Sequence, residues 1–183
     1  MPVCCCDLTA PIALRTKLAV LVHRVEAFKT TNTGRLAALA LGASYDRWGE
    51  RDGSQPELPE GPLLLLFPSD DSRPLAPSDA ERGATLVVPD GNWPQARKIA
   101  KRVLAAAPER VTCVRIVHES ASGYLLRHTT RAGAVSTIES VACALGVLEG
   151  PELEAKVLAM FHAFVARHSS FSGVAQRPRA AVR

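Results

Sequence analysis

"TLVVPDGNWPQARKIAKRVLAAA", residues 85–107, passes from a short apolar run through an Asp-Gly corner into a segment whose apolar residues recur at helical spacing. Residues 85–90 read as a buried strand, because their apolar run is bounded by turn formers. Asp90-Gly91 suits the turn, Asn92 suits a helix N-cap, and Pro94 is tolerated in the first turn. Ala96, Ile99, Ala100, Val103 and Leu104 then supply one buried stripe. A strand feeding directly into a helix is the repeating step of an α/β fold.

Three further apolar runs read as strands: "KLAVLVH" (17–23), "PLLLLFP" (62–68) and "VTCVRIV" (111–117). Their near-continuous apolarity fits a sheet covered on both faces. Helical patterns occupy "TGRLAALAL" (33–41), "STIESVACALGVLE" (136–149) and "PELEAKVLAMFHAFVARH" (151–168). The class is therefore α/β, a mostly parallel sheet with helices on both faces. Ser136 and Glu139 have capping-box spacing, and Gly150-Pro151 followed by Glu152 and Glu154 marks the start of the last helix. Residues 42–61 and 69–83 are rich in Gly, Pro, Asp and Ser and are expected to be irregular. Residues 1–16 form a cysteine-containing segment, 17–172 the folded domain, and 173–183 a basic tail without periodicity.

With 183 residues, 47% hydrophobic and 22% charged, the chain has the composition of one globular domain. The excess of 22 Lys+Arg over 18 Asp+Glu permits a polyanionic partner without requiring one. Five cysteines in no secreted-scaffold spacing argue against a disulfide framework. No leader pattern or membrane-spanning run is present, so a cytoplasmic location and no membrane partner are expected.

Asp90 closes a strand at the sheet edge where α/β proteins bind ligands, so its carboxylate can serve as base or orienting acceptor. Trp93 next to it suits a pocket wall, a stacked base or the core. Arg97, Lys98, Lys101 and Arg102 share one side of the following helix, a face for solvent or for phosphates. His23 and Glu26 follow the first strand, where they suit proton transfer or plain surface hydrogen bonds. Asn32, Thr33 and Gly34 read as a helix cap before Arg35. The helix start at Ser136 and Thr137 is suited to a carboxylate or phosphate, and Arg127 and Arg131 upstream add bidentate donors. Cys4, Cys5 and Cys6 lack the further ligands of a zinc site, so zinc is not expected. Neither a P-loop nor a GxGxxG fingerprint is present.

Four motifs in order, "HRVEAFKTTNTGRLA", "LLLLFPS", "DGNWPQARK" and "STIESVACAL", together resemble the DTW-domain family of tRNA-uridine aminocarboxypropyltransferases. The likeness runs over roughly residues 4–150. The Asp-x-Thr-Trp signature reads here Asp90, Gly91, Asn92 and Trp93, with Asn in place of Thr. The family's upstream cysteine pairs are absent, leaving "CCCDLTAP" alone.

The resemblance implies a SPOUT-like fold with a C-terminal knot. It implies an enzyme that moves the 3-amino-3-carboxypropyl group of S-adenosylmethionine to N3 of a tRNA uridine. Asp90, Trp93 and Glu139 are then the catalytic candidates. Pro68, Ser69, Arg127, Ser136 and Thr137 are candidates for holding the donor. His23, Arg35, Arg97, Lys98, Lys101 and Arg102 are candidates for binding RNA. An RNA methyltransferase using the same donor and a non-catalytic RNA-binding module are the alternatives. The oligomeric state is left open.

Overall fold

The computed structural model describes residue 7 and residues 11–49, 54–117 and 135–172. Among the described residues, ten strands and α-helices follow in order: β1 (Lys17–His23), α1 (Thr33–Leu41), β2 (Ser44–Trp48), β3 (Leu63–Leu66), β4 (Arg73–Pro74), β5 (Thr85–Asp90), α2 (Trp93–Ala106), β6 (Val111–Arg115), α3 (Thr137–Glu149) and α4 (Pro151–Ser172). The six strands form one sheet in the order β2-β1-β5-β3-β6-β4. Every pairing in it is parallel.

Alternation along the strands divides the core in two. Leu64 and Leu66 of β3 and Leu86 and Val88 of β5 join Leu36 of α1, Ile138 and Leu145 of α3 and Phe161 of α4. On the opposite face Leu21, Leu63, Leu65, Phe67 and Val87 pack with Ala96, Ile99, Ala100 and Val103 of α2. The central strands carry apolar side chains on both faces because helices cover both, as the near-continuous apolar runs required.

Two expectations need correction. The stretch 42–61, expected to be irregular, holds β2, whose Ala19↔Ser44 to His23↔Trp48 register makes it the edge strand beside β1. Within 69–83 lie the two residues of β4 and a 3-10 helix at Pro77–Arg82. Both stretches were hidden by composition: β2 has exposed or half-exposed polar residues in place of an apolar run, and Asp79 organises the second stretch through side-chain bonds. Its carboxylate takes two bonds from Arg73, 2.8 and 2.7 Å, and one from the Ala76 N–H at 2.9 Å. Arg127 and Arg131, the three adjacent cysteines and the basic tail lie outside the described residues. Among the described residues the expected C-terminal knot is not shown. Among the described residues no helix is long and apolar enough to cross a membrane.

Candidate active site

β1 leaves through α1 toward β2 on one side, whereas β5 leaves through α2 toward β6 on the other, and the two helices cover opposite faces. The carboxyl ends of β1 and β5 therefore flank the topological switch point, where open α/β sheets form their ligand crevice. His23 ends β1 and Asp90 ends β5, with Val22 and Asp90 in register.

Asp90 is only 3% exposed, and its side chain joins three motifs. Asn32 Nδ2 donates to Oδ2 at 2.5 Å, and the Thr137 hydroxyl donates to Oδ1 at 2.5 Å. Asn32 does double duty: its Oδ1 accepts the Arg35 N–H that caps α1 and the Tyr45 hydroxyl at 3.2 Å. An amide offers both an acceptor and two donors, which lets one residue cap a helix and bind a carboxylate at once. Burial and the nearby Asp90 charge push the Tyr45 phenol up to about 12, so it stays a donor. Gly34 makes the close approach possible, since a Cβ there would stand 2.6 Å from Asp90 Cγ.

The other sequence candidates fall around this group. Asn92 and Gln95 form a reciprocal box at the start of α2, Gln95 N–H to Asn92 Oδ1 at 3.0 Å and Asn92 N–H to Gln95 Oε1 at 2.7 Å. Trp93, 39% exposed, leans on Phe67 with ring centroids 5.0 Å apart, partly in the core and partly over the edge. Pro68 and Ser69 leave β3 exposed at the same edge, and Ser69 N–H donates to the Ser72 hydroxyl. At α3 the Ser136 N–H donates to Glu139 Oε2 at 2.7 Å, while the Ser136 hydroxyl accepts from Glu139 N–H at 3.4 Å. Glu139, buried at 7%, thus caps its own helix. Thr137, half-buried, is the residue through which that helix meets Asp90.

Arg97, Lys98, Lys101 and Arg102 are exposed along α2, and Arg35 is exposed on α1. Arg102 Nη1 lies 3.9 Å from where a Cβ on Gly49 would stand, just past β2. His23 is held below the usual histidine range, first by burial and then by Arg24, with Lys98 and Arg102 adding to it against Glu26. Its Nδ1 accepts the Val25 N–H at 3.4 Å, and the buried Glu26 carboxylate takes the Lys29 ammonium at 2.6 Å.

Asp90 and Thr137 are expected in one site from the sequence, whereas the part played by Asn32 is not. The signal lay in "TNTG": a cap that must also face a carboxylate needs Asn, because Ser, Thr or Asp could cap but not donate an amide. A cavity of about 410 Å³ lies at the other end of the sheet, lined by residues 11–18, Leu41 and Gly42. It faces the amino edge, away from the switch point.

Known proteins place this arrangement in context. The chain is 32% identical over 165 residues to tRNA-uridine aminocarboxypropyltransferase 2 of Drosophila melanogaster, covering 83% of this chain and 64% of that one. It thus spans less than two thirds of that relative's length. The solved structure of the SAM-dependent rRNA:acp-transferase Tsr3 from Vulcanisaeta distributa shares the fold, with a TM-score of 0.53 and 18% identity over 86% of this chain and 79% of that one. The family model described as "DTW domain" matches residues 1–169, nearly the whole chain, and the chain belongs to that family.

Proposed function

We propose that this chain transfers the 3-amino-3-carboxypropyl group of S-adenosylmethionine to N3 of a uridine in tRNA, releasing methylthioadenosine. The observation that carries the reading is the convergence of Asp90, Asn32 and Thr137 at the switch point, from motifs 58 and 47 residues away in sequence. Family membership and the name of the Drosophila relative point the same way.

Uridine N3 must lose its proton to become a nucleophile. Asp90 is too buried to be the contact itself, but the half-buried Thr137 hydroxyl is the outer end of its network. In the proposed step N3–H gives its proton to Thr137 Oγ1 as that hydroxyl passes its own to Asp90 Oδ1. The N3 lone pair then attacks the carbon of the aminocarboxypropyl arm that is bonded to sulfur. That carbon–sulfur bond breaks, and its electron pair neutralises the sulfonium. All three carbons on a sulfonium are activated, so positioning alone selects the arm that moves. Pro68, Ser69, Trp93 and the α3 start at Ser136 and Thr137 line the edge where the donor would be held, with Arg127 assigned to its carboxylate. Glu139 serves the site as the cap that fixes Thr137.

N3 lies on the pairing edge, so the uridine must be unpaired or turned out of a stack. Arg35 and the basic face of α2 take the phosphates, and His23, neutral near pH 7, contributes a hydrogen bond to the RNA. The same proposal takes 17–172 as the catalytic unit, gives its C-terminal part a SPOUT-like knot and sets the chain in a reducing cytoplasm, where the thiols of Cys113 and Cys143 would stay out of disulfides.

Incubation with S-adenosylmethionine and unmodified tRNA, followed by nucleoside and thioether mass spectrometry, tests the reading. Aminocarboxypropyluridine with methylthioadenosine is the expected pair; methyluridine with S-adenosylhomocysteine, or no product, overturns it. Asp90→Ala is expected to slow transfer by about 10²–10⁴-fold. Thr137→Val should follow it and Thr137→Ser should recover, whereas full activity in Thr137→Val removes the relay.

A further inference from the structure

Phe28 is 76% exposed, at the end of a 3-10 helix, Glu26–Phe28, that leaves β1. Exposed apolar residues are common singly and need no function. This one is set apart by its surroundings. The Arg47 guanidinium of β2 lies over its ring, 5.8 Å from the centroid. Tyr45, two residues before Arg47 and so on the same face of the strand, reaches Asn32, which holds Asp90. Phe28 precedes Asn32 by four residues, a span of at most about 14 Å. A continuous line therefore runs from Phe28 and Arg47 through Tyr45 and Asn32 to the buried carboxylate.

Charge along this line favours a polyanion. Arg47 and Arg35 are exposed beside it, Arg24 is half-exposed, and Glu26 is buried and paired with Lys29. Asp46 alternates with Arg47 and belongs to the other face of β2. An aromatic ring backed by a guanidinium and surrounded by cations suits the π-face of a nucleobase whose phosphate is answered near by.

We propose that Phe28 and Arg47 form a stacking platform for an unpaired nucleobase of the tRNA, adjoining the uridine held at Asp90. The platform rests on the transferase reading for the identity of the RNA. It makes Phe28 a substrate-binding residue that selects single-stranded over paired RNA. Trp93, at the start of α2 three residues after Asp90, is also partly exposed.

The test uses the full chain, labelled unmodified tRNA and a blunt RNA duplex in fluorescence anisotropy. Phe28→Ala is expected to weaken tRNA binding roughly 5- to 150-fold. Phe28→Trp should restore it, and duplex binding should be the same in all three proteins. In turnover, Phe28→Ala should raise KM for tRNA and leave kcat in place. Equal tRNA affinity in Phe28→Ala and the unsubstituted protein, with transfer intact, overturns the platform and leaves the transferase reading standing. Equal losses on tRNA and duplex overturn it too. Phe28-dependent tRNA binding with no product formed supports the platform and sinks the transferase reading instead.

Discussion

A methyl group added to Gly34 would meet Asp90 Cγ at 2.6 Å and Oδ2 at 2.7 Å. Asp90 is already fixed by Asn32 and Thr137, so it has little room to give way. Gly34→Ala should therefore destabilise the fold by about 1–3 kcal/mol, as overpacking does. It should also cost more in transfer rate than in stability, because it displaces the carboxylate. Urea unfolding beside a rate measurement checks this; an unchanged rate would show that the position of Asp90 is not critical. The sequence announces Gly34 only as part of a cap, and nothing in its spacing reveals the contact, since Asp90 lies 56 residues on. Asp90 itself was legible, because an acid closing an apolar strand before a capped helix occupies a known kind of place. Asn32 was legible as a cap and illegible as a donor to Asp90.

Helices α1 to α4 could be read because each combines an apolar stripe with local end signals, and three of the caps form as read, at Asn32, Asn92 and Ser136. β2 escaped because an edge strand need not be apolar on both faces. Contacts that tie elements together across long separations escaped for another reason: their partners share no local pattern. Glu149, the last residue of α3, accepts from the Thr16 N–H at 2.7 Å and the Arg15 N–H at 3.0 Å, pinning the entry to β1. Burial raises its carboxyl, but the bonds from Thr16 and Arg15 outweigh that and leave it below the ordinary glutamate value. A carboxyl depressed in the folded state stabilises the protein above its unfolded-state value, and that contribution is lost as pH falls through the folded one. Glu149→Gln should thus lower stability by about 2 kcal/mol near neutrality, the scale of hydrogen bonds to a charged group. The gap to the unsubstituted protein should close as acid is added. Urea midpoints measured from neutral to acid pH would show it; a gap that stays constant would mean that charge on Glu149 is immaterial.

For the molecule as a whole, a net charge of +4 says little, while its placement says more. Helix α2 carries no acid between Trp93 and Ala106, and its polar side gathers Arg97, Lys98, Lys101 and Arg102 beside the edge that holds His23 and Asp90. The burial and cations that lower His23 favour its neutral form near pH 7, so attraction to phosphates at this edge falls to arginine and lysine. Polyanion binding of that kind weakens linearly in log affinity against log salt, by a slope set by the number of phosphates neutralised. Lys98→Ala and Arg102→Ala should each reduce the slope for tRNA by about one. Phe28→Ala, removing a ring and no charge, should shift the line down at every salt concentration without changing its slope. The two kinds of variant thus separate positioning by phosphates from recognition of a base. Anisotropy titrations across a salt series decide it: an unchanged slope in Lys98→Ala and Arg102→Ala would mean that α2 faces solvent, and that the RNA approaches the crevice from the α1 side alone.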